Sequence, residues 1–264
     1  LLPKTVNSKT LVIVISISGN TIETLNVLKS AKVLNCNIVA FSSGGKMQEF
    51  CTKHNVEFHM IKKTHSPRTS FVTYVYSLLK ILKQLLPLTE NDIVESISVL
   101  EDTQKLINSK NLSETNTSII LSQKISDIPL IYYPHGLEAA AIRFKSSLQE
   151  NAKSHVIIED IIESCHNGIV AWEKPSLLHP ILIQGSDDYF KTKERWQILK
   201  KYFDENNIKY FDIFSTNGNI LSKLIDLIYR LDYVTIYKAI SSEIDPSTIR
   251  SIDFVKNHLD STLE

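Results

Sequence analysis

The segment Ile13-Val14-Ile15-Ser16-Ile17-Ser18-Gly19-Asn20-Thr21-Ile22-Glu23-Thr24 passes from apolar residues directly into three hydroxyl side chains and a glycine. The pattern predicts a strand-to-helix turn, the place where open parallel sheets bind their ligands. A helix N-terminus there presents unpaired N–H groups and about half a unit of positive charge. Ser16, Ser18 and Thr21 would add hydroxyl donors, and Gly19 would let the backbone come close to an anion. A phosphate monoester suits such a turn, being small, dianionic and satisfied by many neutral donors. Plain helix capping, with Glu23 in the first turn, is the competing reading and stays open, although one hydroxyl suffices for a cap. A second candidate is Arg68, directly after Pro67 at the start of an apolar helix pattern. A guanidinium at that end opposes the helix dipole, so its placement points to a ligand with negative charge.

The elements that must position these groups follow from periodicity. Residues 10–15 are a continuous β-branched run, the pattern of a parallel strand covered on both faces. Residues 21–34 carry apolar side chains at helical spacing, 37–41 read as a strand closed by Ser42-Ser43-Gly44-Gly45, and 46–54 as a short helix. A third strand at 57–61 and a long helix at 68–86 complete a βαβαβα order, which predicts a doubly wound parallel sheet. A helix at 90–109 leads into the polar stretch Asn108-Ser109-Lys110-Asn111-Leu112-Ser113-Glu114-Thr115-Asn116-Thr117-Ser118, the best linker candidate. The pattern then restarts. Strands are expected at 127–133, 179–184 and 210–214, and helices at 137–153, 192–206 and 220–240. Between them lie an apolar run at 156–162 and a tryptophan-bearing stretch at 168–173. The expected organisation is a first domain with its linking helix at 1–109, a linker at 110–126 and a second domain at 127–264.

Composition excludes several classes. Basic and acidic residues balance at 29 each in 264 residues, which implies no general affinity for nucleic acid or anionic membrane. No apolar run reaches the roughly 20 residues needed to span a bilayer, and the N-terminus lacks a signal-peptide pattern. The three cysteines, Cys36, Cys51 and Cys165, have no metal-ligand spacing and fit a reducing cytoplasm. With seven glycines in all, no Gly-rich nucleotide loop is present.

Ser16-Ile17-Ser18-Gly19-Asn20-Thr21-Ile22-Glu23-Thr24 resembles the phosphate-binding signature of the sugar isomerase (SIS) domain. Further segments narrow the resemblance. They are Ser66-Pro67-Arg68-Thr69-Ser70, the run Glu150-Asn151-Ala152-Lys153 that closes a segment opening at Arg143, and the pair His166-Asn167, sixteen residues beyond the glutamate. Together they resemble the bifunctional phosphoglucose/phosphomannose isomerases, from the first strand to the C-terminus. The resemblance implies two SIS-type doubly wound domains acting on a phosphosugar, without metal or redox cofactor, in an obligate homodimer. The implied reaction is aldose–ketose isomerisation between glucose 6-phosphate, with mannose 6-phosphate beside it, and fructose 6-phosphate through a cis-enediolate. Glu150 would move the proton between adjacent carbons, a task favoured when partial burial raises a carboxyl pKa. His166, reaching in from the neighbouring subunit, would assist ring opening. Arg68 would hold negative charge on the enediolate. Ser16, Ser18, Gly19 and Thr21 would hold the phosphate. Thr248 and Lys256, from the closing segments Asp245-Pro246-Ser247-Thr248 and Phe254-Val255-Lys256, would lie near the sugar, the threonine leaving room for both C2 epimers.

Family members begin with a helix and a βα unit carrying a Gly-Ser turn, whereas this chain starts at Leu1-Leu2-Pro3 just before the Ser16 strand. The expectation is therefore a first domain short of at least one βα unit, roughly 30 residues or more. Apolar surface would be exposed on its sheet, and this chain alone would be weakly active or inactive. Competing readings are a non-catalytic phosphosugar-sensing module, which needs the hydroxyls but neither Glu150 nor His166, an aminosugar isomerase or synthase, and an inactive remnant of the fold. No basic helix-turn-helix segment and no N-terminal glutaminase cysteine accompany the pattern.

Overall fold

The structure, a computed structural model, describes residues 2–126 and 128–261. Leu1, the expected strand start at Asp127 and residues 262–264 lie outside the described residues. The chain forms two compact units, Leu1–Leu88 and Thr89–Glu264.

The first unit is built on a three-stranded parallel sheet in the order β1 (Leu11–Ile15), β2 (Asn37–Ser42), β3 (Glu57–Met60). Strands laid side by side in chain order are joined by right-handed crossovers that fall on one face. Helices α1 (Ile22–Val33) and α2 (Gly45–His54) accordingly pack Leu25, Leu28, Ala31, Met47 and Cys51 against Val12 and Val14. Helix α3 (Phe71–Ile81) puts Tyr74 and Leu78 against Val39, Phe41 and Ile61. It does not cover β1, whose Leu11, Ile13 and Ile15 remain 39–43 % exposed. The expectation that this strand is covered on both faces is thus corrected to one face. The long helix expected at 68–86 is also shorter. Arg68–Ser70 form a separate 3-10 turn, and α3 ends at Ile81. The break has a local cause, since the Ser70 hydroxyl, fully buried, accepts from Thr64 N and donates to Ser66 O, which ties the turn back to the preceding loop.

The second unit carries a four-stranded parallel sheet in the order β5 (Ile157–Asp160), β4 (Ile128–Tyr133), β6 (Leu178–Gln184), β7 (Phe211–Phe214). The chain leaves β4 in one direction and returns past it in the other, so helices fall on both faces, as the doubly wound expectation requires. One face is an aromatic-rich core in which Tyr132, Trp172, Trp196 and Phe203 pack with Leu130 and Leu182, the last two aromatics coming from α8 (Phe190–Glu205). On the other side the 22-residue helix α9 (Ile220–Ser241) packs against α4 (Glu90–Ile107), α5 (Thr117–Lys124) and α6 (Glu138–Ala152). Among the described residues the other helices are the short α7 (Ile161–Ser164), a 3-10 helix at Gly168–Glu173 and α10 (Arg250–Ser261).

The expected division at 110–126 is not where the compact units part. Helix α4 belongs with the second unit, where Thr103 donates to Asp226 of α9 (2.8 Å). The polar stretch read as a linker contains α5. Asn116, fully buried, caps that helix by accepting from Ser118 N and Ile119 N and donates to Ile107 O. Its polar residues are cap chemistry, which a sequence shares with loops.

Candidate functional site

The site residues expected from the sequence fall in both units. In the first unit, β1 ends at Ile15 and the chain turns through Ser16–Thr21 into α1. Ser16, 5 % exposed, accepts from Gly19 N (3.1 Å) and shares a hydrogen bond with Thr21 Oγ1 (2.9 Å), while Ser18 Oγ accepts from Asn20 N (3.2 Å). Gly19 is left-handed (φ +71°), and a Cβ there would collide with the backbone carbonyl of Gly44. The turn can close only without a side chain at that point.

The geometry separates capping from ligand binding. Thr21 occupies the N-cap position of α1, but its side chain makes no cap hydrogen bond; it turns to Ser16 instead. The first-turn N–H groups of α1 are thus left to other acceptors. The adjacent helix start is different. At α2, Lys46 N donates to Asn20 Oδ1 (3.0 Å) and Met47 N donates to Gly19 O (2.9 Å), so the Ser16–Thr21 turn itself fills that end. Two parallel helix starts lie side by side at the carboxyl edge of this sheet, and the protein's own groups fill one of them. The other carries the hydroxyls and the positive end of its helix, which is what an anion needs.

Two residues that sequence reasoning missed hold the turn. The Ile17 carbonyl accepts from Ser43 N (3.1 Å), from Ser43 Oγ (2.6 Å) and from the phenol of Tyr74 (3.4 Å). Tyr74 is 4 % exposed, and burial pushes its phenol above the usual tyrosine range, so it remains a neutral donor. Ser43 lies in the turn that closes β2, which marks it in the sequence, whereas Tyr74 shares its helix with Thr73, Tyr76, Ser77 and Lys80 and is marked by nothing but its type. Arg68 is half-buried in the 3-10 turn that follows β3, and Ile61 N donates to Ser42 O at the same carboxyl edge (2.9 Å).

In the second unit, Glu150 is in the last turn of α6 and half-buried. The face of α6 toward α9 is a ladder at four-residue spacing. Arg143 grips Asp232 through two nitrogens (2.8 and 3.0 Å), Ser147 Oγ donates to Asp232 (2.6 Å), and Asn151 Nδ2 donates to Thr235 Oγ1 (2.8 Å). Thr235 Oγ1 in turn donates to Asp232 O (2.7 Å). Lys153 Nζ donates both to Glu150 O (2.5 Å) and to Thr248 O (2.7 Å), which brings two expected site residues to one corner. Lys256 lies eight residues past Thr248, exposed on α10.

His166 is elsewhere. Strands β4 and β5 are parallel, so α6 must run back between them and end at the amino edge of the sheet. His166, exposed, follows β5 and α7 at the carboxyl edge, with its backbone N donating to Glu163 O (2.9 Å). The strand alone spans about 10 Å at roughly 3.3 Å per residue. Within one copy of the chain Glu150 and His166 are at opposite ends of this sheet. Glu159 lies against Gly168, two residues past His166; its Oε2 is buried without a hydrogen-bond partner, and burial pushes its carboxyl upward. Among the described residues, no group of three His, Cys, Asp or Glu side chains could hold a metal, and no helix is long and apolar enough to cross a membrane.

Comparison with known proteins adds the following. The profile of the bacterial phospho-glucose isomerase C-terminal SIS domain matches residues 114–259. A bifunctional phosphoglucose/phosphomannose isomerase from Caldicellulosiruptor bescii is 32% identical over 268 residues, covering 98% of this chain and 78% of that protein. One from Aquifex aeolicus is 27% identical, again over 98% and 78%. In three dimensions the chain is similar to a hypothetical protein of Thermus thermophilus, with a TM-score of 0.76 at 14% identity, covering 98% of this chain and 73% of the other.

Proposed function

Because this chain belongs to the family of bifunctional phosphoglucose/phosphomannose isomerases, we propose that it interconverts glucose 6-phosphate and mannose 6-phosphate with fructose 6-phosphate. The phosphate is held by Ser16, Ser18, Thr21 and the first-turn N–H groups of α1, with Gly19 letting the turn close against the Gly44 carbonyl. After ring opening, Glu150 takes the proton from C2 of the aldose and returns it to C1 while the O2 hydroxyl proton passes to O1, so the carbonyl moves from C1 to C2 with no net redox change. Arg68 stabilises the enediolate oxygen as a permanent cation. His166 moves the proton between the anomeric hydroxyl and the ring oxygen, and Thr248 and Lys256 lie against the sugar.

The observation that carries this reading is the unequal pair of helix starts in the first unit, α2 filled by Asn20 and Gly19 and α1 ringed by hydroxyls. A homodimer, in which a second copy supplies His166, is supported by the opposite-edge placement of Glu150 and His166. The two compact units are read as two SIS halves, and the site of action as the cytoplasm. The test is formation of fructose 6-phosphate from each aldose phosphate by the purified chain, with Glu150→Gln beside it. Turnover of both substrates is expected, slow where this chain acts alone, and it should fall at least about a thousandfold in Glu150→Gln, since the proton carrier is gone, while EDTA should leave the rate unchanged. Activity indifferent to Glu150→Gln would remove the catalytic assignment while leaving the fold intact.

A further inference from the structure

We propose that Lys153 is a positioning residue, stapling the helix end that carries Glu150 to the turn that carries Thr248. The inference rests on the reading of Glu150 as the proton carrier. Helix ends fray, and the last four carbonyls of α6 have no partner within the helix. Glu150 sits on that last turn, so its aim depends on what holds the turn from outside. Asn151 does so on one side through the buried bond to Thr235. Lys153 does so on the other, through the Glu150 carbonyl and, 95 residues along the chain, the Thr248 carbonyl. Ordinary C-capping by lysine accounts for the first of these bonds and not the second.

The backbone at Lys153 sharpens the case. Lys153 is left-handed (φ 56°, ψ 28°) at the helix C-terminus, a position where glycine is the favoured residue. A side chain there is strained, so the local backbone alone would select glycine. The chain carries a lysine here instead, and its side chain joins the two segments. Within the turn it reaches, Asp245 Oδ1 accepts from Ser247 N (2.8 Å) and Ser247 Oγ (2.6 Å). Lys153 ties that turn to α6, and its charge also helps hold the Asp245 carboxyl below its ordinary range, after the two Ser247 hydrogen bonds.

Lys153→Gly separates a positioning role from a structural one, because glycine relieves the backbone while removing the staple. The full chain with Lys153→Gly is expected to show kcat lowered about tenfold with KM within about twofold, as for a displaced proton carrier. Amide exchange across residues 245–249 should rise at least about tenfold, while the melting temperature stays within about 2 °C. Lys153→Arg, which keeps a long cationic donor, should restore most of kcat and of the protection. Unchanged exchange in Lys153→Gly, an unchanged kcat, or a loss of kcat matched by a large fall in melting temperature would each overturn the inference while Glu150→Gln stays inactive. A fully active Glu150→Gln would instead overturn the reading of Glu150 and the positioning role with it.

Discussion

At the scale of single residues, the hydroxyl turn is where chemistry and conformation meet. Ser16 is tied to both Gly19 and Thr21, so Ser16→Ala loosens the turn and, on the proposed reading, removes an anion donor at once. A hydrogen bond to a charged ligand is worth about 1.5–3 kcal/mol. Ser16→Ala should therefore raise KM for fructose 6-phosphate by roughly 10–100-fold with a smaller effect on kcat, measured by steady-state kinetics. Glu159 makes a prediction about pH. Burial raises its carboxyl pKa, so the folded state holds that proton more tightly than the unfolded state. Stability attached to Glu159 is then present at acid pH and is lost as pH climbs from the ordinary carboxylate range through the folded pKa. Glu159→Gln has no such loss. It should raise the melting temperature by about 2 °C near neutral pH and lose that advantage below about pH 4, followed by thermal denaturation across pH.

At the scale of elements, the α6–α9 pairing decides where Glu150 points. Arg143, Ser147 and Asn151 recur every fourth residue, so they share the face of α6 turned to Asp232 and Thr235. The Arg143 and Asp232 side chains are 20% and 26% exposed, too sheltered for either charge to be left alone cheaply. Asp232→Ala should cost about 2–3 kcal/mol in urea denaturation, because it strands the guanidinium and the Ser147 hydroxyl together. The run from Arg143 to Lys153 is legible in the sequence as a motif, yet its ladder is not. Spacing shows which residues share a helix face, while the partner on that face comes from a helix some 85 residues later. The same limit explains the misread stretch at 110–126. Asn116 looks like a loop residue until α9 is folded beside it and its amide is buried.

At the scale of the whole molecule, the parallel sheet of the second unit separates Glu150 from His166 by construction. A dimer sharing these residues predicts complementation. Glu150→Gln and His166→Ala homodimers, each inactive, should regain activity when mixed under exchanging conditions. Random reassortment gives up to about a quarter of wild-type sites, since half the dimers are mixed and one of two sites in each carries both native residues. Restored isomerase activity on mixing, assayed against each parent alone, is the expected outcome. Continued inactivity, with subunit exchange demonstrated independently, would mean that both residues serve one chain or that His166 serves none.

The sequence by itself determined the α/β class, the parallel strands and the position of the hydroxyl turn. These depend on local periodicity and on residue types within a few positions of each other, which folding does not alter. Only the tertiary structure decided that Thr21 leaves α1 uncapped, that Asn20 instead closes α2, and that Lys153 reaches Thr248. Each of these is a choice of hydrogen-bond partner. A hydroxyl, amide or ammonium carries the same donors in any sequence context, and which acceptor it meets is fixed by chain segments that packing brings together.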